Sequence, residues 1–133
     1  MKPLLCDTNI VSILFRPAHP LQEKCEKLVS GYELAISFMT LAELRLWPIK
    51  NKWGHERGDL LDRYIRSYGT LFADESTCDV WAEVRAPCWA AGRPISPDDA
   101  WIAAIAKQWE LPLVTANYKD FEAVPGLELV RLK

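Results

Sequence analysis

The sequence is short of several things, and each shortage narrows its reading. No stretch approaches the roughly 20 apolar residues that a membrane span needs, so no contact with a membrane is expected. The four cysteines, Cys6, Cys25, Cys78 and Cys88, form no C-x-x-C pair and show no Cys/His spacing of a zinc site. Buried free thiols in a reducing cytoplasm are the expectation, rather than a disulfide framework. The opening "MKPLLCDTN" is not read as a signal peptide, because Asp7 interrupts the apolar run and no small-residue cleavage site follows. Charge of either sign is not in excess: 16 Lys and Arg stand against 18 Asp and Glu, a formal net charge of −2. A nucleic-acid ligand would therefore have to be held by a local basic patch. Repeats, low-complexity tracts and linkers are also lacking, and 133 residues suit one domain over positions 1–133.

What is present is a run of short apolar segments alternating with helical patterns. Residues 3–6, "YELAISF", "TLFA", "LPLVTA" and "LELVRL" read as strands. Helices are expected from about Asn9 to Phe15 and over "LQEKCEKLVS", with Leu21, Cys25 and Leu28 on one face and Gly31 as its stop. A further helix should begin at Thr40, with Pro48 kinking or ending it. "HERGDLLDRYIRSYG" carries Leu61, Ile65 and Tyr68 at helical spacing, widened by Leu60 and Tyr64. "STCDVWAEVRAPCWAAG" is helical with a break or kink at Pro87. "SPDDAWIAAIAKQWE" is the clearest helix of all. Strands alternating with helices predict an α/β fold with a mainly parallel sheet.

That architecture has a consequence for the polar residues. In a parallel α/β sheet, strand carboxyl ends and helix amino ends share one edge, where ligands usually bind. Asp7 ends the first strand, Glu43 is expected in the first turn after the second, and Asp98 and Asp99 open the clearest helix. Asn117 follows the "LPLVTA" strand, with Asp120 three residues on. Asp7, Glu43 and Asp99 would make an all-oxygen cluster suited to Mg²⁺ or Mn²⁺ rather than zinc. Each acid taken singly also reads as helix punctuation: Thr40-x-x-Glu43, Ser96-x-x-Asp99 and Ser76-x-x-Asp79 all have the form of capping boxes. Three carboxylates meeting at one edge would repel one another unless a cation or protons compensated.

Four motifs in order resemble the PIN-domain family, and within it the VapC-like toxin ribonucleases of type II toxin–antitoxin pairs. "LLCDTN" is similar to its first motif, and "ISFMTLAELRLW" with Glu43 to its second. "GRPISPDDAWIAAIA" with Asp99 is similar to the third, and "LVTANYKDF" with Asn117 to the fourth. The resemblance covers nearly the whole chain. It departs at Asn117, where many PIN nucleases carry Asp, and it leaves Asp98 and Asp99 competing for the third position.

The resemblance implies a PIN-like three-layer sandwich and an Mg²⁺- or Mn²⁺-dependent endoribonuclease. Its catalytic residues would be Asp7, Glu43, Asp99 and Asn117, and Asp7, Asp99 and Glu43 would bind the metal. It also implies an RNA substrate, a cognate VapB-like antitoxin, a homodimer and a toxin–antitoxin hetero-oligomer. Thr8, Asn9 and Thr115 are candidate supporting groups; Arg45, Arg85, Arg93 and Lys119 are candidate phosphate contacts. Trp47 and Trp101 flank the acidic motifs and suit either base stacking or packing. A PIN-fold binding protein of weak or no nuclease activity, acting through a DNA-binding partner, is the alternative. A D-x-D phosphatase fits less well, because its second acid position is Asn9.

Overall fold

The computed structural model describes residues 2–132. Five strands form one sheet: β1 (Leu4–Cys6), β2 (Leu34–Ser37), β3 (Gly69–Leu71), β4 (Leu113–Thr115) and β5 (Leu129–Arg131). Their order across the sheet is β3-β2-β1-β4-β5, and every neighbouring pair is parallel. Seven helices accompany them among the described residues: α1 (Thr8–Phe15), α2 (Gln22–Val29), α3 (Phe38–Lys50), α4 (His55–Ile65), α5 (Glu75–Ala90), α6 (Pro97–Gln108) and α7 (Tyr118–Phe121). The expected α/β sandwich with a central parallel sheet is present.

The strands alternate between two cores, because successive side chains leave a strand on opposite faces. Leu4, Cys6, Ile36 and Val114 join Ile10 and Val11 of α1, Leu44 of α3 and Leu61 of α4. Leu5, Ala35 and Leu113 join Val84 of α5, Ala100, Ile102, Ala103 and Ile105 of α6, and Phe121 of α7. The central strands are therefore apolar on both faces, as their continuous sequence runs require.

Register then sets the site. Leu5 pairs with Ala35 and with Leu113. Two residues further on, Asp7 stands level with Ser37 and Thr115, on the face shared with α6. All three side chains are buried, at 4%, 0% and 0% exposure. A polar row thus replaces the apolar rows where the central strands end.

Several local expectations are corrected. The helix after β2 starts at Phe38, not Thr40; Ser37 caps it by accepting from the Thr40 N–H at 3.1 Å. Glu43 therefore lies in the second turn and does not serve as the acid of a cap. At α5 the capping box is Asp74 with Thr77, not Ser76 with Asp79. Pro48 and Pro87 sit inside α3 and α5, which run on to Lys50 and Ala90. The short α7 has no periodicity to announce it and was not expected. Leu21 and Leu60 are exposed rather than on the buried stripes of α2 and α4, whereas Cys25, Leu61, Ile65 and Tyr68 are buried. All four cysteines are free, as expected; Cys6, Cys25 and Cys88 are buried, but Cys78 is exposed on α5 rather than buried. Among the described residues no helix is long and apolar enough to cross a membrane.

Candidate functional site

Asp7 is both helix punctuation and the centre of a cluster. As N-cap of α1 its Oδ1 accepts from the Thr8 N–H at 2.8 Å. Its Oδ2 accepts from the Thr115 hydroxyl at 2.8 Å and from Asn9 Nδ2 at 3.1 Å. A carboxylate offers about four acceptor directions, so three donors leave one open. The donors are themselves held. Asn9 Oδ1 accepts from the Ala116 N–H at 3.2 Å, and Thr115 Oγ1 accepts from the Asn117 N–H at 2.9 Å. Asn9 thus uses its amide to fasten α1 to the end of β4, and no second acid stands there for D-x-D chemistry.

Glu43 approaches from α3. The Thr8 hydroxyl donates to its Oε1 at 2.8 Å, and Thr8 Oγ1 is also 3.0 Å from Thr40 Oγ1. Asp98 and Asp99 come from the first turn of α6, where Ser96 caps by accepting from the Asp99 N–H at 3.2 Å and Pro97 takes the first helical position. Asp98 is exposed and Asp99 half-buried. Asn117 begins α7 from an exposed position and makes no capping bond with its side chain.

The electrostatics tie these residues together. Burial raises the Asp7 carboxyl above its ordinary range; the Thr115 and Thr8 bonds oppose this, and the Glu43 charge adds to it. Burial also raises Glu43, opposed by the Thr8 hydroxyl and reinforced by Asp98 and then Asp99. Asp99 is pushed up to about 6, first by burial and next by Asp7, with Asp120 and Asp98 adding and Ser96 opposing. The repulsion runs between elements, from α1 to α3 and α6. Among the described residues no cationic side chain forms an ion pair with Asp7, Glu43 or Asp99. Arrays of half-buried acids without a counter-charge suit a cation or retained protons.

The donor set is all oxygen and fits a hard divalent ion. Among the described residues no three His, Cys, Asp or Glu side chains stand together so that they could hold a metal ion. Mg²⁺ ordinarily keeps several waters and takes one or two carboxylates plus substrate oxygens, so it does not require three. The cleft is distinct from the cavity of about 750 Å³ at the opposite edge of the sheet. That cavity is lined by Pro3, Leu34, Gly69 and Leu111 and contains none of these acids.

The other sequence candidates divide. Arg93 pairs with Glu122, tying the loop before α6 to the end of α7. Arg85 lies 5.0 Å over the Trp81 ring, which stacks on Trp101 at 5.1 Å. Trp101 in turn meets Phe38 edge-on at 5.6 Å, and Trp47 packs on the core beside α1. Packing therefore accounts for both flanking tryptophans. Arg45 and Lys119 are exposed. Sequence reasoning missed Ser37 and the hydroxyl of Thr40. The register of β2 against β1 was the signal needed, and it is a long-range property.

Comparison with known proteins gives the same grouping. The PIN domain family model matches residues 4–127. Toxin FitB of Neisseria gonorrhoeae is 31% identical over 132 residues, covering 90% of this chain and 91% of FitB. Ribonuclease VapC1 of Haemophilus influenzae is 29% identical over 129 residues and 93% of each chain. In the crystal structure of VapBC2 from Rickettsia felis bound to a DNA fragment from their promoter, one chain superposes with a TM-score of 0.86. It is 25% identical, over 99% of this chain and 100% of that one. Since the family match runs from β1 to the turn before β5, this chain belongs to the PIN-domain family.

Proposed function

We propose that this protein is an endoribonuclease toxin, dependent on Mg²⁺ or Mn²⁺, that hydrolyses RNA phosphodiester bonds and is restrained by a small cognate antitoxin. The observation that carries the chemistry is the meeting of Asp7, Glu43 and Asp99 from three separate elements, each with its carboxyl group raised partly by another acid of the cleft. Two relatives support the rest. Ribonuclease VapC1 is named for RNA cleavage, and the VapBC2 pair was solved as a complex on promoter DNA. A partner protein with its own DNA-binding part follows by analogy with that pair.

Asp7 and Asp99 are the residues to hold the ion, with Glu43 beside them and Asn117 offering a neutral amide oxygen. When bound, such an ion lowers the pKa of a water and offsets charge on the phosphorane-like transition state. The protein's own residues do the remaining work. Thr115, Asn9 and the Thr8 N–H fix the Asp7 carboxylate in one orientation. Glu43, its carboxyl raised by burial and held by the Thr8 hydroxyl, is suited to take a proton from the attacking water as that oxygen bonds to phosphorus. The bond from phosphorus to the departing oxygen breaks as that oxygen takes a proton from solvent water. Exposed Arg45 and Lys119 are available to phosphates flanking the cleft.

The test is cleavage of a structured-RNA pool by the purified chain with Mn²⁺, Mg²⁺ or chelator. The expected result is cleavage with either ion, none with chelator, and loss on Asp7→Asn in a protein that still melts cooperatively. A wild-type chain that binds its partner yet cuts no RNA under any of these conditions would falsify the nuclease reading and favour a binding role.

A further inference from the structure

We propose that Thr40 is a positioning residue for Glu43, acting through the hydroxyl of Thr8. The inference rests on the nuclease reading above. Thr40 lies one helical turn before Glu43 on α3, so the two share a face. Its side chain is completely buried. A buried hydroxyl is unfavourable unless bonded, and valine would fill the same space without that penalty. The partners of the Thr40 hydroxyl explain its presence. Its Oγ1 is 3.0 Å from Thr8 Oγ1 and accepts from Ser37 Oγ at 3.4 Å. Thr8 Oγ1 is in turn 2.8 Å from Glu43 Oε1.

These contacts form a chain of hydroxyls from the end of β2 to the carboxylate: Ser37, Thr40, Thr8, Glu43. Ser37 is also completely buried and is held by the Thr40 N–H at 3.1 Å, so its end of the chain is fixed. Thr8 reaches the carboxylate from another helix, α1, and Thr40 is the contact that fixes where the Thr8 oxygen sits. Thr8 has one hydroxyl proton and two acceptors. The Glu43 carboxyl is the stronger acceptor and draws it. Thr40, in contact with the same Thr8 oxygen at 3.0 Å, thereby holds that oxygen where it meets Glu43.

The experiment compares the full chain with Thr40→Val, Thr40→Ser, Thr8→Val and the Thr8→Val/Thr40→Val double variant. Measurements are kcat and KM for RNA with Mn²⁺, thermal melts, and crystal structures of the metal-free proteins. Thr40→Val is expected to lower kcat about 10-fold, the scale of one hydrogen bond to a charged group, with KM unchanged. Thr40→Ser is expected to restore activity to within about twofold, since it restores the hydroxyl. The double variant is expected to be no slower than Thr8→Val alone, because the effect passes through Thr8. Crystals of Thr40→Val are expected to show the Thr8–Glu43 bond broken or spread over rotamers. Wild-type kcat in Thr40→Val, or losses that simply multiply in the double variant, would overturn the proposal. If valine does not fold, Thr40→Ala takes its place with the same expected outcomes. If the wild-type chain cuts no RNA, the nuclease reading fails, and the Thr8–Glu43 distance in the variant crystals still decides the positioning role.

Discussion

The Thr115 hydroxyl donates to Asp7 Oδ2 at 2.8 Å, joining residues 108 positions apart in the chain. The bond is possible because β1 and β4 are parallel neighbours with Cys6 opposite Val114, so Asp7 and Thr115 are the next pair along. It makes Asp7 a carboxylate held by tertiary structure as well as by its own helix.

Asp7→Asn tests that division of labour. The amide oxygen can still cap α1 by accepting from the Thr8 N–H, so the variant should fold. The negative charge needed for a divalent ion is gone, and RNA cleavage should fall by about 100-fold or more, the scale of losing a central electrostatic group in an active site. Circular dichroism melts and single-turnover cleavage, run on the same samples, check both halves. A variant with nearly full activity would remove Asp7 from the proposed metal site.

Asp99 should make stability fall as pH rises. Its carboxyl is raised from 3.8 to about 6, so the folded state holds the proton more tightly than the unfolded chain. The stability linked to this group is fully present below the unfolded value and is lost as pH climbs through about 6. Asp99→Asn should therefore be more stable than wild type at neutral pH, by about 1 kcal/mol once solvent screening of a half-buried group is allowed for. The difference should shrink towards pH 4, roughly the unfolded carboxyl pKa. Denaturant titrations of both proteins across that range, without divalent ion, measure it; a difference independent of pH contradicts the assignment.

Asn117→Asp restores the acid that many PIN nucleases carry. It adds a charge at the cleft without needing a new cavity, since Asn117 is exposed. Mn²⁺ affinity by calorimetry should rise several-fold, about 1 kcal/mol for one further carboxylate in a partly solvated site. The metal-free melting temperature should fall slightly from added repulsion. Unchanged Mn²⁺ affinity would place Asn117 outside the binding site.

Phe121→Ala probes the support beneath α7. Phe121 is completely buried in the core shared with α6, and the same short helix follows Asn117 and carries Asp120, whose charge acts on Asp99. Truncating a buried phenylalanine leaves a cavity and should destabilise the fold by about 3–5 kcal/mol. Urea unfolding gives the number; a loss below about 1 kcal/mol would mean that the site collapses freely around the vacancy.

The sequence by itself determined the layers and the edge. Apolar runs of three or four residues, separated by amphipathic helices, have few stable arrangements other than a parallel sheet buried on both faces. The positions of Asp7, Asp99 and Asn117 were legible because each adjoins a strand end or a helix start with a strong local signal. Glu43 was legible as a residue but was misplaced by a turn. Thr40 and Ser37 offer similar short capping side chains, and sequence spacing does not tell which hydroxyl meets the free helix-end amide. Tertiary structure alone decided the register. That register set Ser37, Asp7 and Thr115 in one buried polar row and brought Thr8 between Thr40 and Glu43. It also half-buried Asp99 within reach of the Asp7 charge while leaving Asp98 exposed. Registers and helix rotations come from packing between residues distant in the chain, and such contacts leave no period in the sequence to read.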